Sequence, residues 1–171
     1  MKHRILKLRV VVPGNINLNT LIPNTMMKLE KKQKKKGVYA YGSSLLSKPA
    51  VPKGLFPGKT YKVIIISRES VAVNEDSSKL YYQGQEYLWF GAHGFCILAS
   101  FLSKKMKSKI GEQERLISFG EKMPYETFDE TKVDNRLAAM YVTTSRNIFQ
   151  FVIPECGSNQ RRDMLVAFRP I

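Results

Sequence analysis

The segment that most constrains the fold is a predicted strand, Lys59–Ser67, with the sequence KTYKVIIIS. It is rich in β-branched and aromatic residues at both odd and even positions, so both of its faces are apolar. A strand of this kind is buried on both faces, as the central strand of a sheet is. We therefore expect neighbouring strands on both sides of it and at least one helix covering a face of the sheet.

Other segments carry weaker strand patterns. Residues 4–12 alternate apolar with basic side chains, which is typical of a half-buried strand that ends at the Pro13-Gly14 turn. After the central strand, short apolar runs separated by polar turns are typical of an antiparallel meander or of part of a small barrel. The further segments with strand patterns are 70–74, 80–90, 116–119 and 164–171.

Two segments have helical periodicity. Apolar residues recur at helical spacing over 94–110, and Gly111 is a suitable C-terminal cap, so we expect an amphipathic helix there. A capping-box pattern at Thr127–Glu130 predicts a second helix that extends to Tyr141. The alternative for this second region is a pair of strands, 140–144 and 147–153, joined by a turn.

Together these patterns predict an α+β protein in which strands dominate. With 43% apolar residues, the 171-residue chain has enough material for one hydrophobic core, so we expect a single domain over 1–171. The predicted architecture is a small barrel-like or meander antiparallel sheet, one or two covering helices and a long basic loop.

That loop is the turn-rich segment 15–57, inserted between two strand regions. Proline and glycine recur through it, and a connection of this length inside a compact domain is usually functional or disordered. A short helix over about Asn24–Lys35, with Asn24 as its cap, also fits the sequence. The adjacent lysines would repel one another and weaken such a helix unless an anion neutralised them.

Positive charge is concentrated at one end of the chain. Residues 1–62 contain 14 Lys and Arg against a single acid, Glu30, for a net charge of +13. The remaining 109 residues contain 14 basic and 13 acidic residues, for a net charge of +1. An excess confined to one third of the chain indicates a polyanionic partner.

The segment KLEKKQKKKGVYAYGSS, residues 28–44, combines six lysines with two tyrosines. Ammonium groups displace counterions from phosphates, and aromatic rings offer faces on which unstacked bases can lie. Basic residues of the first strand would extend this surface. The candidate nucleic-acid-binding residues are Arg4, Lys7, Arg9, Lys28, Lys31, Lys32, Lys34, Lys35, Lys36, Tyr39 and Tyr41.

We therefore predict a non-catalytic protein that binds the phosphate backbone of RNA or DNA, in keeping with a subunit of a larger nucleoprotein assembly that includes other proteins. Lysine favours sequence-tolerant contact, because its ammonium acts as a point charge rather than as a bidentate reader. The alternative is a protein-binding regulator or inhibitor that docks on an acidic partner surface. The plainest alternative is a solubilising lysine-rich loop with tyrosines packed at a strand edge.

Residues suited to catalysis or metal binding are few. His93 and Cys96 could supply half of a zinc site, but a buried histidine and a core cysteine explain the pair more simply. Catalysis by Cys156 with His93 is a minor alternative. No phosphate-binding glycine motif occurs, because Lys53 stands where the first glycine of a P-loop is required. We expect no enzyme activity, no cofactor and no metal.

The remaining inferences concern location and one aromatic stretch. The longest nearly uncharged apolar run, 87–102, is shorter than the roughly 20 residues of a membrane-spanning helix, so no membrane association is expected. Two widely separated cysteines fit a reducing, cytoplasmic setting. Tyr81–Phe95 contains six aromatic residues, which we expect to belong mainly to the core.

Overall fold

The computed structural model describes residues 5–36, 39–42, 50–73, 79–101, 115–120, 124–126, 131–133, 137–142, 149–153 and 163–171. At residues 26, 29, 30, 32–36, 39–42, 124–126, 131–133, 137–142 and 149–153 the description covers the backbone. The helices are α1 (Leu21–Lys36) and α2 (Gly91–Leu98), with one 3-10 turn at Arg68–Ser70. The strands before α2 are β1 (Ile5–Val11), β2 (Tyr39–Gly42), β3 (Thr60–Ser67), β4 (Lys79–Tyr82) and β5 (Gln85–Leu88). Those after it are β6 (Arg115–Phe119), β7 (Pro124–Glu126), β8 (Thr131–Val133), β9 (Leu137–Val142), β10 (Phe149–Ile153) and β11 (Met164–Pro170).

Nine of these strands form one mixed sheet, in which the main path is β1-β3-β11-β6-β9-β10-β2. The β4-β5 hairpin joins the sheet through β5, which pairs with β11 beyond the end of β6. Most neighbours are antiparallel, whereas β11 runs parallel to β6 and β10 runs parallel to β2. The predicted strand-dominated α+β class is confirmed, and over the described residues the sheet is open, with β1 and β2 at its two ends.

The prediction of a central strand at Lys59–Ser67 is confirmed. β3 pairs with β1 on one side and with β11 on the other, both in antiparallel register. Its four consecutive residues Val63–Ile66 are completely buried, since elements pack on both faces of the sheet at this point. Burial of both faces explains why the strand lacks the alternation of polar and apolar residues seen in β1.

The core is divided by the sheet into two apolar clusters. We call the side on which α2 and the start of α1 pack the helix face, and the other side the opposite face. Sheet residues of the helix face include Val10, Tyr61, Val63, Ile65, Val166 and Phe168. Those of the opposite face include Ile64, Ile66, Ile117, Leu165 and Ala167, with Leu80, Tyr87 and Trp89 from the β4-β5 hairpin.

Helix α2 is shorter and more deeply buried than the sequence predicts. All eight of its residues are buried, and it begins at Gly91 rather than Gly94. Gly94 permits this close packing, because a Cβ there would lie 2.7 Å from Cε2 of Phe168 and 2.9 Å from Cβ of Phe90. The chain turns at 99–101, and the expected continuation through 102–110 to Gly111 lies outside the described residues.

The segments on either side of the 74–78 gap differ from the prediction. Residues 80–90 were expected as one strand, but they fold back at Gln83 and Gly84 into the β4-β5 hairpin. Both turn residues have positive φ angles, 49° and 72°, as a two-residue type I′ turn requires. The predicted strand at 70–74 is also wrong for its described part, because a 3-10 turn follows β3 and 71–73 belong to no strand.

The predicted helix over 127–141 is wrong, and the alternative pair of strands is confirmed. β9 pairs with β6, with Leu137 opposite Phe119 and Met140 opposite Leu116. β10 then pairs with β9 in antiparallel register. These long-range pairings outweigh the local capping-box signal at Thr127–Glu130, which lies outside the described residues.

Much of the segment predicted to be a basic loop, 15–57, is helical. The expected short helix over Asn24–Lys35 lies inside α1, which is longer at both ends. The helix begins after a polar turn, where the backbone N–H of Asn24 donates to the carbonyl of Thr20 at 3.0 Å. Asn24 therefore lies within the first turns and is not the cap. The assignment of 1–171 to a single domain stays a prediction.

Candidate nucleic-acid interface

The first turns of α1 anchor the helix to the core, and its second half carries the lysines. Leu21 is buried and Ile22 packs against the apolar cluster of the helix face. The Thr25 hydroxyl donates to the carbonyl of Leu21 at 2.7 Å. The surface of the helix then becomes exposed, since Met27 is 54% exposed and Lys28 and Lys31 are also exposed. The helix therefore presents its lysine-rich half from a fixed base.

All six predicted lysines of this segment belong to α1. Positions 28, 31, 32 and 35 recur at the spacing that places residues along one side of a helix. At a rise of ~1.5 Å per residue, positions 28–36 cover about 12 Å of helix axis. Cations in the last turns complement the helix dipole, but like charges at i, i+4 repel one another. A bound polyanion would remove that repulsion.

Tyr39 and Tyr41 lie on β2, which begins three residues after the end of α1. β2 pairs in parallel with β10, with Tyr39 opposite Gln150 and Tyr41 opposite Val152. Because alternate residues of a strand share a face, both tyrosines belong to the same face of the sheet at its β2 end. Their role in stacking bases stays a prediction.

The first-strand residues do not simply extend the α1 surface. Lys7 and Arg9 are exposed on β1, at the other end of the sheet path from β2. The alternate residues Leu8 and Val10 belong to the cluster of the helix face, so Lys7 and Arg9 lie on the opposite face. Arg4 lies outside the described residues. The structure thus separates the predicted set into a helical group and a sheet group.

Two basic residues missing from the prediction complete the sheet group. Lys62 of β3 is directly opposite Arg9 of β1, and Arg169 of β11 is directly opposite Lys62. We call Arg9, Lys62 and Arg169 the basic row. A sequence signal did exist, because Lys62 and Arg169 are the basic residues within two mainly apolar strands. Their alignment across three strands depends on the register of the sheet.

His93 and Cys96 have the properties of core residues. Both are buried on α2, where burial lowers the pKa of His93 to about 4 and raises the pKa of the Cys96 thiol to about 12. Hydrogen bonds to the Leu18 backbone and to Thr25 oppose these shifts. Among the described residues, no group of three His, Cys, Asp or Glu could hold a metal ion. Cys156 lies outside the described residues.

The aromatic stretch Tyr81–Phe95 is mainly core, as expected. Trp89 packs edge-to-face on Phe119 with ring centroids 5.1 Å apart, and Phe90 stacks on Phe168 at 4.8 Å. Tyr81 differs, because it is 61% exposed and donates a hydrogen bond from its hydroxyl to Glu86. This stretch therefore supplies packing to both faces of the sheet and leaves one tyrosine at the surface.

Comparisons with protein-family models, with curated proteins and with solved structures found no match. Within the described part of the chain, neither helix has the length and apolar character needed to span a bilayer. The charges and geometry of this chain are therefore what indicate its function.

Proposed function

We propose that the protein binds the phosphate backbone of RNA or DNA without catalysing a reaction, through the lysine-rich half of α1. The observation that carries the proposal is the concentration of charge, a net +13 in residues 1–62 against +1 in the rest of the chain. The presentation of Lys28 and Lys31 at the surface of a helix anchored by Leu21 supports it. Tyr39 and Tyr41 would provide stacking faces beside the lysines.

The physical basis is counterion release. Each phosphate that a lysine neutralises frees condensed cations, so the logarithm of the binding constant falls linearly with the logarithm of salt concentration. The slope is about −0.7 per neutralised phosphate for single strands and about −0.9 for duplex DNA. Six lysines that all engage phosphate would therefore contribute a slope of about −4 on a single strand.

Two further features belong to the proposal. The protein would act in the cytoplasm, which the buried free thiol of Cys96 supports, and as part of a larger nucleoprotein assembly. An acidic protein surface is the competing partner, because a lysine-rich helix can occupy it by the same electrostatics.

A fluorescence-anisotropy titration with labelled single-stranded and duplex oligonucleotides tests the proposal. The test variant replaces the six lysines of α1 by glutamine. The matched control replaces six lysines from the remainder of the chain, where basic and acidic residues are nearly balanced. The control positions are Lys104, Lys105, Lys107, Lys109, Lys122 and Lys132. Both variants lose the same charge, so a general effect of net charge lowers both affinities equally.

We expect micromolar or tighter binding by the wild type at low salt. The α1 variant should lose about 4 from the salt slope on single strands, while the control keeps most of it. Absence of binding at low salt, or equal loss in both variants, would refute the role of α1 and favour an acidic protein partner.

A further inference from the structure

The basic row crosses three adjacent strands on one face of the sheet. Arg9, Lys62 and Arg169 occupy directly opposed positions in the β1-β3 and β3-β11 registers. Cβ atoms of directly opposed residues in antiparallel strands lie about 4.5–5.5 Å apart. Three adjacent strands span about 10 Å, so the three long side chains start close enough to reach one ligand.

The alternation of side chains along each strand shows that the three residues share the opposite face. Lys62 lies between Tyr61 and Val63, which both belong to the cluster of the helix face. Arg169 follows Phe168 of that same cluster, and Ala167, two residues before it, belongs to the cluster of the opposite face. The row therefore lies next to the apolar cluster of the opposite face and faces away from α1 and α2.

Two of the described acids, Asp163 and Glu69, lie too far from this row to neutralise it. Asp163 forms a buried ion pair with Arg115 at 2.7 Å, at the far end of β11 from Arg169. Glu69 follows the other end of β3 from Lys62. These positions are six or more residues from the row, about 20 Å along a strand.

Glu86 is the described carboxylate that does interact with the row, through Arg169. Its strongest partner is Lys79, whose ammonium lies 3.0 Å from the carboxylate. The Lys79 hydrogen bond, followed by that of Tyr81 and by a weaker attraction to Arg169, holds the pKa of Glu86 below its usual range. One carboxylate shared in this way leaves the row with excess positive charge.

Two ordinary explanations account for only part of the row. Basic residues on an edge strand prevent pairing with other chains, which explains Arg9 but not Lys62 and Arg169 on interior strands. Long basic side chains also cover apolar surface while their charges stay in water. However, Nη1 of Arg169 is buried and has no hydrogen-bond partner within the described part of the chain.

We propose that Arg9, Lys62 and Arg169 form a binding site for a phosphate-type oxyanion on the opposite face of the sheet. Arg169 has a buried donor that such an anion would satisfy, and Lys62 at the centre contributes charge between two guanidinium groups. The anion could be a backbone phosphate of the nucleic acid or a small phosphorylated ligand. This site does not depend on α1, so it can exist whether or not the helix binds nucleic acid.

Pyrophosphate, as a probe, separates this site from α1. Thermal unfolding of the full chain is measured in sodium pyrophosphate and in sodium chloride of equal ionic strength. The variants are Lys62→Gln in the row, Lys53→Gln as an exposed control that removes the same charge, and the α1 glutamine variant. At ten times the dissociation constant, a ligand specific for the folded state should raise the Tm by about 3–6 °C for a chain of this size.

We expect the full shift in the wild type, in Lys53→Gln and in the α1 variant, and loss of most of it in Lys62→Gln. Without ligand, Lys62→Gln should melt higher than the wild type at low salt, because it relieves repulsion between neighbouring cations. An equal shift in Lys62→Gln and Lys53→Gln would overturn the site, as would a wild type that does not distinguish pyrophosphate from chloride. The α1 variant distinguishes failure of this site from failure of the proposed function, because it removes the α1 lysines and leaves the basic row unchanged.

A competition arm identifies the source of the anion. Arg9→Gln and Lys62→Gln are titrated with labelled oligonucleotide in the presence and absence of pyrophosphate. A backbone phosphate in the site predicts that pyrophosphate lowers oligonucleotide affinity in the wild type and has less effect in both variants. A small phosphorylated ligand predicts saturable pyrophosphate binding that leaves oligonucleotide affinity unchanged. Either result supports an oxyanion site in the row, and equal pyrophosphate binding by wild type and variants contradicts it.

Discussion

Mild acid should destabilise the protein through His93, and replacing this residue should remove that sensitivity. His93 is only 3% exposed on α2, and burial lowers the pKa of its imidazole from 6.5 to about 4. At pH 5 the unfolded chain therefore binds a proton at this residue while the folded chain does not. Stability from His93 is full above pH 6.5 and is lost progressively as the pH falls to about 4.

The magnitude follows from the two pKa values. A shift from 6.5 to about 4 corresponds to about 3 kcal/mol between the limits. Between pH 7 and pH 5 the expected loss is about 2 kcal/mol, because the imidazole of the folded state remains mostly neutral at pH 5. Ordinary carboxylates, with pKa values near 4, remain largely ionised over this window, so the effect can be assigned to histidine.

Urea unfolding at pH 7, 6 and 5 measures this effect in the wild type, in His93→Gln and in His3→Gln, which replaces the other histidine. We expect the free energy of unfolding to fall by about 2 kcal/mol in the wild type and in His3→Gln, and much less in His93→Gln. An equal fall of the unfolding free energy between pH 7 and pH 5 in all three proteins would refute this role of His93. If His93→Gln does not fold, the NMR titration of His93 in the wild type replaces it, and a pKa near 6.5 would refute the argument. A pKa near 4 also makes His93 a weak general base at pH 7.

Three further substitutions test the packing that holds the two surfaces in place, each by urea unfolding at pH 7. Gly94→Ala should cost about 1–3 kcal/mol, because the added Cβ would lie 2.7 Å from the ring of Phe168. Asp163→Asn should cost about 3–5 kcal/mol, since it leaves the guanidinium of Arg115 buried beside a neutral group. Tyr61→Phe should cost about 1–3 kcal/mol, because its hydroxyl bonds two backbone groups, at 2.6 and 2.9 Å. Changes below about 0.5 kcal/mol would show that the corresponding contact is absent in solution.

The sequence predicts those elements whose signal is local and strong. Lys59–Ser67 is apolar on both faces, which few structures other than an interior strand can accommodate, and β3 is such a strand. β1 is recognisable by its alternation of apolar and basic residues, and β11 by its apolar run. The β4-β5 hairpin was missed because its turn contains Gln83, a residue that seldom adopts a positive φ angle. The usual Asn-Gly or Asp-Gly signal is absent there.

Long-range pairing decides the elements that local patterns assign wrongly. Residues 137–141 fit a helical face as well as a strand, and pairing with the neighbours β6 and β10 makes the strand the better solution. The candidate sites are likewise predictable only where their residues are close together in sequence. A lysine run is visible in one short stretch of sequence, whereas the basic row joins residues from three distant strands. Its members are identified only when the register is known.

The positions of the two basic surfaces bear on which nucleic acid can use both. The lysines of α1 end three residues before the start of β2, at one end of the sheet path, and the basic row begins on β1 at the other. The strands of the row, β1, β3 and β11, lie six, five and four strand spacings from β2, or about 19–29 Å along the sheet. The row also lies on the face opposite to the one on which α1 is anchored.

A nucleic acid that contacts both surfaces must therefore pass round the sheet. Duplex DNA, with a persistence length of about 150 bp, would have to bend sharply to do so, whereas a single strand can follow the surface. Where the anion of the basic row is a backbone phosphate, we expect the magnitude of the salt slope on a long single strand to decrease in both the α1 variant and Lys62→Gln. On duplex DNA it should decrease in the α1 variant alone. A slope on duplex DNA that falls equally in both variants would contradict this geometry, because it would require a straight helix to reach two faces of one sheet.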